Sequence, residues 1–150
     1  MTPFLQISTI KDLDTLVPLV KSYHQFEGIS KTNEERNEAI LPLLQADSSY
    51  GKVYLIQLGQ EAVGYIALCY GYSIEFGGRD AFIDEFYLVE KIRGKKIGSR
   101  VLELIKIEAA RLNIKALHLE VANSNQRAKK LYQSFGLKPR ERFQLLSCEL

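Results

Sequence analysis

The spacing of apolar positions changes near residue 50. Before it, Leu13, Leu16, Val17 and Val20 recur at intervals of three and four, which predicts a helix over residues 11–25 behind a first strand at 4–10. Pro18 lies inside that helix and predicts a kink or an early break. A second helix is expected over 33–45, with Thr32 at its N-cap and Glu34 and Glu35 complementing its dipole. After residue 50 the runs shorten and alternate. Residues 52–58 and 62–72 predict two strands joined by a tight Gly-Gln-Glu link, and 81–89 predict a third after the turn "EFGGRD".

Helical spacing then returns, with Val101, Leu102, Ile105, Ala109 and Leu112 on one face. A strand at 115–121, a short helix within 123–136 closed by Gly136, and a last strand at 143–150 complete the pattern. The three middle strands form an antiparallel series, and the late strand–helix–strand unit implies a parallel neighbour. The expectation is one domain spanning residues 1–150, with a mixed α/β sheet carrying helices on its faces.

Composition narrows the class without choosing a chemistry. The net charge of +2 is too mild to argue for nucleic acid, although basic residues cluster at 91–106 and again at 127–142. Cys69 and Cys148 sit in apolar runs without metal-ligand spacing, so neither a disulfide framework nor a metal site is expected. No secretory leader and no run of 18 apolar residues is visible, which makes a cytoplasmic protein away from membranes the expectation.

The chemistry begins where the third strand gives way to the long helix, at "VEKIRGKKIGSRVLEL". A helix N-terminus offers unpaired N–H groups and partial positive charge, which suits phosphate. Gly94 and Gly98 clear space there, and Arg93, Lys95, Lys96 and Arg100 surround it with charge. The phosphate-loop pattern G-x-x-x-x-G-K-[ST] and the dinucleotide pattern G-x-G-x-x-G are both absent. Upstream, Asp84 and Glu85 interrupt an apolar strand. Strict alternation sends them to opposite faces, Glu85 with Ile83 and Tyr87, Asp84 with Phe82 and Phe86.

The stretch from Arg93 to Ser99, following "IDEFYL", resembles the acetyl-CoA-binding motif Arg/Gln-x-x-Gly-x-Gly/Ala of the GCN5-related N-acetyltransferases, with Lys96 in place of the first motif glycine. Downstream, Asn125, Ala128, Tyr132 and Gly136 are similar to that family's N-x-x-A-x-x-x-Y-x-x-x-G-[FL]. The resemblance implies a mostly antiparallel sheet of six to seven strands, about four helices, and a splayed cleft for acetyl-CoA. It implies that the backbone of Phe86, Tyr87 and Leu88, the 93–99 turn (Arg93, Gly94, Lys95, Lys96, Ile97, Gly98, Ser99) and Asn125 bind the cosubstrate. Tyr132 is then the acid that protonates the departing thiolate, and Asp84 or Glu85 the group that takes the amine's proton.

An alkylammonium with a pKa near 10.4 is only about one part in two thousand neutral at pH 7, so such an acceptor is needed. The segment 67–88 is especially similar to the diamine (spermidine/spermine) acetyltransferase branch, which implies a small-molecule amine as partner, with a peptide amine as the alternative and two copies pairing as the family often does. Glu27, Glu34 and Glu35 read as solvated helix-end charges and His24 as a surface residue. A catalytically weak acyl-CoA-binding regulatory domain is the competing reading, with Lys96 as its sign; a nucleic-acid-binding module is a distant third.

Overall fold

A computed structural model describes residues 1–150, which fall into two compact units, Met1–Glu120 and Val121–Leu150. The first unit holds one sheet of five strands: β1 (Phe4–Ile7), β2 (Gly51–Leu58), β3 (Glu61–Ser73), β4 (Gly78–Leu88) and β5 (Ala116–His118). Their spatial order follows the chain. Neighbours are antiparallel until β4 meets β5, where α3 (Ile97–Arg111) makes the crossover and the pairing is parallel.

The expected six to seven strands are thus five. Residues 143–150 adopt no strand, with Phe143, Leu145 and Leu146 exposed, because a strand needs a partner ladder and this segment has none. The first strand stops at Ile7, and Thr9 caps a 3-10 turn at Ile10–Asp12 instead, exchanging hydrogen bonds with Asp12. The late strand shrinks to three residues.

Two helices precede β2. In α1 (Leu13–Glu27), Pro18 removes one backbone donor without ending the helix, which closes at Gly28 in a left-handed conformation (φ 73°). The second, α2 (Asn33–Ile40), starts at Thr32 with a reciprocal cap. Glu35 N–H donates to the Thr32 hydroxyl, and Thr32 N–H donates to the Glu35 carboxylate at 2.7 Å. The helix gives way to a 3-10 turn (Leu41–Leu44) at Pro42 rather than running on to residue 45, since proline cannot supply the helical N–H.

The sheet separates two layers. Leu16 and Val20 of α1, with Ile40 and Leu44, pack on Val53, Leu55, Tyr65 and Ala67. Tyr54 alternates with Val53 and Leu55 along β2 and so faces the other way. Its hydroxyl donates to Glu108 of α3 at 3.2 Å. Val101, Leu102, Ile105 and Ala109 of α3 are buried. Between β3 and β4, Gly64 lets the backbones close: a Cβ there would sit 2.1 Å from the Tyr87 carbonyl oxygen. Gly64→Ala is therefore expected to cost about 1–3 kcal/mol through forced backbone shifts, read as a lowered midpoint in denaturant at unchanged slope.

The second unit contains α4 (Gln126–Ser134). Asn125 caps it, its Oδ1 accepting the Ala128 N–H at 3.2 Å, and the chain turns at Gly136 (φ 87°). The helix ends as expected, with Leu137 N–H donating to the Tyr132 carbonyl across that glycine.

Candidate active site

The ladder between β3 and β4 runs regularly from Gly64↔Leu88 to Ala67↔Glu85, and then slips, so that Leu68 faces Ile83 and Asp84 is the extra residue of a β-bulge. The bulge overturns the strict alternation assumed for Asp84 and Glu85. Glu85 shares the α1 face with Tyr87 and Ala67, but Ile83 belongs to the opposite face with Leu68. The two carboxylates are not divided between faces. Both act electrostatically on Tyr65 and on Cys69, whose thiol pKa is pushed up to about 11 by burial and by these two charges.

Glu85 is tied down at both carboxylate oxygens. Tyr65 donates its hydroxyl to Oε1 at 2.9 Å, and His24 Nε2 lies 2.7 Å from Oε2. Behind His24, Arg36 Nε donates to Nδ1 at 3.1 Å, and Arg36 Nη1 donates to Asn33 Oδ1 at 2.9 Å. A guanidinium has no lone pair to offer, so the Arg36 contact requires an unprotonated Nδ1 and leaves the proton of a neutral ring on Nε2, donated to Glu85. Burial pushes the Glu85 pKa up, and the His24 and Tyr65 hydrogen bonds pull against it. Asp84 is exposed as a residue, yet the protein flanking its carboxyl raises that group's pKa as well.

His24 is therefore not the surface residue expected; it is 9% exposed, and Arg36 is 6% exposed. The sequence held a signal for both. Leu16, Val20 and His24 are spaced by four on α1, and Arg36, Ile40 and Leu44 by four from α2 into the turn, so each polar residue continues a buried stripe.

Next to Glu85, Tyr23, Tyr65 and Tyr87 form a triangle of rings with centroids 6.3–6.4 Å apart. Arg93 extends it: its guanidinium lies 5.4 Å from the Phe26 ring centre and 5.5 Å from that of Tyr87, within reach of the negative ring faces. Its Nε donates to the Leu88 carbonyl at 2.8 Å. Arg93 thus braces the end of β4 against α1.

Beyond the bulge β4 loses its outer neighbour, because pairing with β5 ends at Phe82↔His118. The outward backbone groups of residues 83–88, including Phe86, Tyr87 and Leu88, form an open edge, except that the Leu88 carbonyl already receives Arg93. The chain then passes Gly94 (φ 79°) and Lys96 (φ 61°, ψ 10°), and α3 begins. Lys96 takes the left-handed conformation that glycine would hold most easily, and its side chain caps nothing. Arg100 N–H makes the first helical bond, to the Lys96 carbonyl, so the N–H groups of Ile97, Gly98 and Ser99 have no intrahelical acceptor. Basic Lys95 and Lys96 flank them, an arrangement that fits a pyrophosphate. Lys96→Gly should relieve about 1 kcal/mol of backbone strain present in the free protein, read as a raised midpoint in denaturant at unchanged slope.

Asn125 and Tyr132 lie in the second unit, one at the start and one in the last turn of α4. No helix in the protein is long and apolar enough to cross a membrane.

The profile of the Acetyltransferase (GNAT) family matches residues 16–137. An uncharacterized N-acetyltransferase of Archaeoglobus fulgidus is 29% identical over 129 residues, 85% of this chain and 87% of its own. The thialysine N-epsilon-acetyltransferase of Bos taurus is 31% identical over 78 residues, 52% of this chain and 45% of its own. Among solved structures, an integron cassette protein from the mobile metagenome of Cole Harbour Salt Marsh superposes with a TM-score of 0.83 at 29% identity, covering 96% of this chain and 89% of that one.

Proposed function

Since the chain belongs to the acetyltransferase (GNAT) family and is an acetyl-CoA-dependent N-acetyltransferase, we propose that it moves the acetyl group directly onto a primary amine of a small molecule, with Asp84 and Glu85 as the acceptor's acidic partners. The observation that carries this reading is the bulge, which sets two carboxylates side by side where β4 leaves β5. An ammonium is drawn to such a pair, and a carboxylate with a raised pKa is a better proton acceptor than an ordinary one. The name of the bovine relative, which gives the Nε amine of thialysine as its acceptor, supports a small molecule here.

Ile97, Gly98 and Ser99 would receive the pyrophosphate on their free N–H groups, with Lys95 and Lys96 adding charge. The open edge at Phe86 and Tyr87 would pair with the pantetheine arm as an added strand does. Asp84, directly or through one water, would take the amine's proton as nitrogen attacks the thioester carbon. As the C–S bond breaks, Tyr132, matched to the family motif by Asn125, Ala128 and Gly136 around it, would give its proton to the departing sulfur. Cys69 is the thiol that feels both carboxylates, and a pKa of about 11 keeps it protonated at neutral pH. That favours direct transfer over an acyl-enzyme.

Calorimetric titration with acetyl-CoA, followed by turnover against a panel of small amines and amine-bearing peptides, tests the proposal. Binding at micromolar strength with turnover of a small amine is expected, and Tyr132→Phe should lower kcat about 10²-fold while leaving acetyl-CoA affinity intact. Turnover of peptides alone would move the acceptor to a protein amine; failure to bind acetyl-CoA would overturn the site.

A further inference from the structure

We propose that His24 and Arg36 are positioning residues that hold Glu85 as a fixed anion, which assigns different tasks to the two adjacent carboxylates: Glu85 anchors the acceptor's ammonium while Asp84 takes its proton. The inference rests on the amine-acetylation reading above, but its structural half stands on geometry alone. A chain of hydrogen bonds runs from Asn33 through Arg36 and His24 to Glu85, and Tyr65 closes it from the sheet. Three of its members, Asn33, Arg36 and His24, come from the two helices packed on this face of the sheet.

The direction of each bond gives the chain its function. Arg36 carries a buried positive charge with no carboxylate in direct contact, and neutral His24 passes that polarity on to Glu85 through Nε2–H. Two donors, one per oxygen, favour the charged form of Glu85 against burial and fix its rotamer. Asp84, the bulged residue, is exposed and lies outside this chain of hydrogen bonds. The anchored carboxylate is suited to attraction, and the unanchored one, with its raised pKa, to proton exchange. The groups facing Glu85 are His24 and Tyr23 from α1, Arg36 from α2 through His24, Tyr65 and Cys69 from β3, and Asp84 and Tyr87 from β4.

Glutamine is the informative replacement for His24, since its amide can accept from Arg36 and donate to Glu85 but cannot carry a proton; leucine can do neither. The experiment follows the Glu85 carboxyl by ¹³C NMR titration, assigned with Glu85→Gln, and measures kcat and KM for an amine turned over by the wild type. His24→Leu should raise the Glu85 pKa by about one unit and lower kcat/KM for the amine at least tenfold, mostly through KM, with acetyl-CoA affinity unchanged. His24→Gln should restore both. Tyr65→Phe, which removes the other donor and keeps the ring, should raise the Glu85 pKa in the same direction, and it decides the matter if His24→Leu fails to fold. An unchanged Glu85 titration in His24→Leu or Tyr65→Phe, or a His24→Gln enzyme as impaired as His24→Leu, would overturn the proposal. If the wild type turns over no amine, the function proposed above fails, and the carboxyl titration still judges the network.

Discussion

Asp84→Asn lowers kcat by about 10²–10⁴ at neutral pH, leaves acetyl-CoA affinity unchanged, and makes the protein more stable. The first follows from losing the proton acceptor, and the last from the surroundings of the carboxyl. Desolvation raises the Asp84 pKa above its unfolded value, so the folded state holds its proton more tightly than the unfolded chain does. Folding stability from this group is greatest below the ordinary carboxylate pKa and is lost as pH rises through the folded value. At neutral pH the aspartate is an ionised group in a site that resists ionisation, and asparagine removes the conflict. Thermal melts at neutral and acid pH should therefore show a raised Tm for Asp84→Asn that fades on acidification. In the wild type the same shift moves the acid limb of kcat above the ordinary carboxylate range. A variant that loses activity and stability together would make Asp84 a structural residue.

Arg36→Met is expected to have the largest effect on stability, about 3–5 kcal/mol, because it removes a buried cation and leaves both His24 Nδ1 and Asn33 Oδ1 without their donor. For a chain of this length that corresponds to a fall in Tm on the order of 10 °C. The loss should shrink as pH is lowered, since burial raises the Glu85 pKa and a proton taken up there removes the anion that Arg36 supports through His24. Melts of wild type and variant at neutral pH and about two pH units below it check both the size and the sign. A loss that stays constant across that interval would mean that Arg36 contributes through packing of its stem rather than its charge.

What the sequence disclosed and what it withheld follow from the range of each interaction. The caps at Thr32 and Gly136, the antiparallel series and the parallel β4–β5 crossover are written in neighbouring residues, and all were legible. So was the start of α3, although the left-handed backbone at Lys96 was seen only in the structure. The bulge was not, because an extra residue in one strand is defined only against its partner; nothing in "AFIDEFYL" distinguishes Asp84 as unpaired until Leu68 is seen opposite Ile83. The His24–Glu85 contact spans 61 residues, beyond any local pattern, although the four-residue spacing of Leu16, Val20 and His24 marked the imidazole as inward-facing. The last segment, 143–150, shows the reverse error: its alternation suits a strand, but alternation supplies no partner.

The bulge also has a meaning in the currency of genes. On either side of Asp84 the ladder is in register, Ile83 with Leu68 and Glu85 with Ala67. Deleting this one codon would leave both pairings, and the face of every other β4 side chain, where they are. A single in-frame insertion or deletion can thus add or remove the second carboxylate without rebuilding the sheet. Chemistry at this strand can be gained or abandoned in one mutational step, while the scaffold around it is inherited whole.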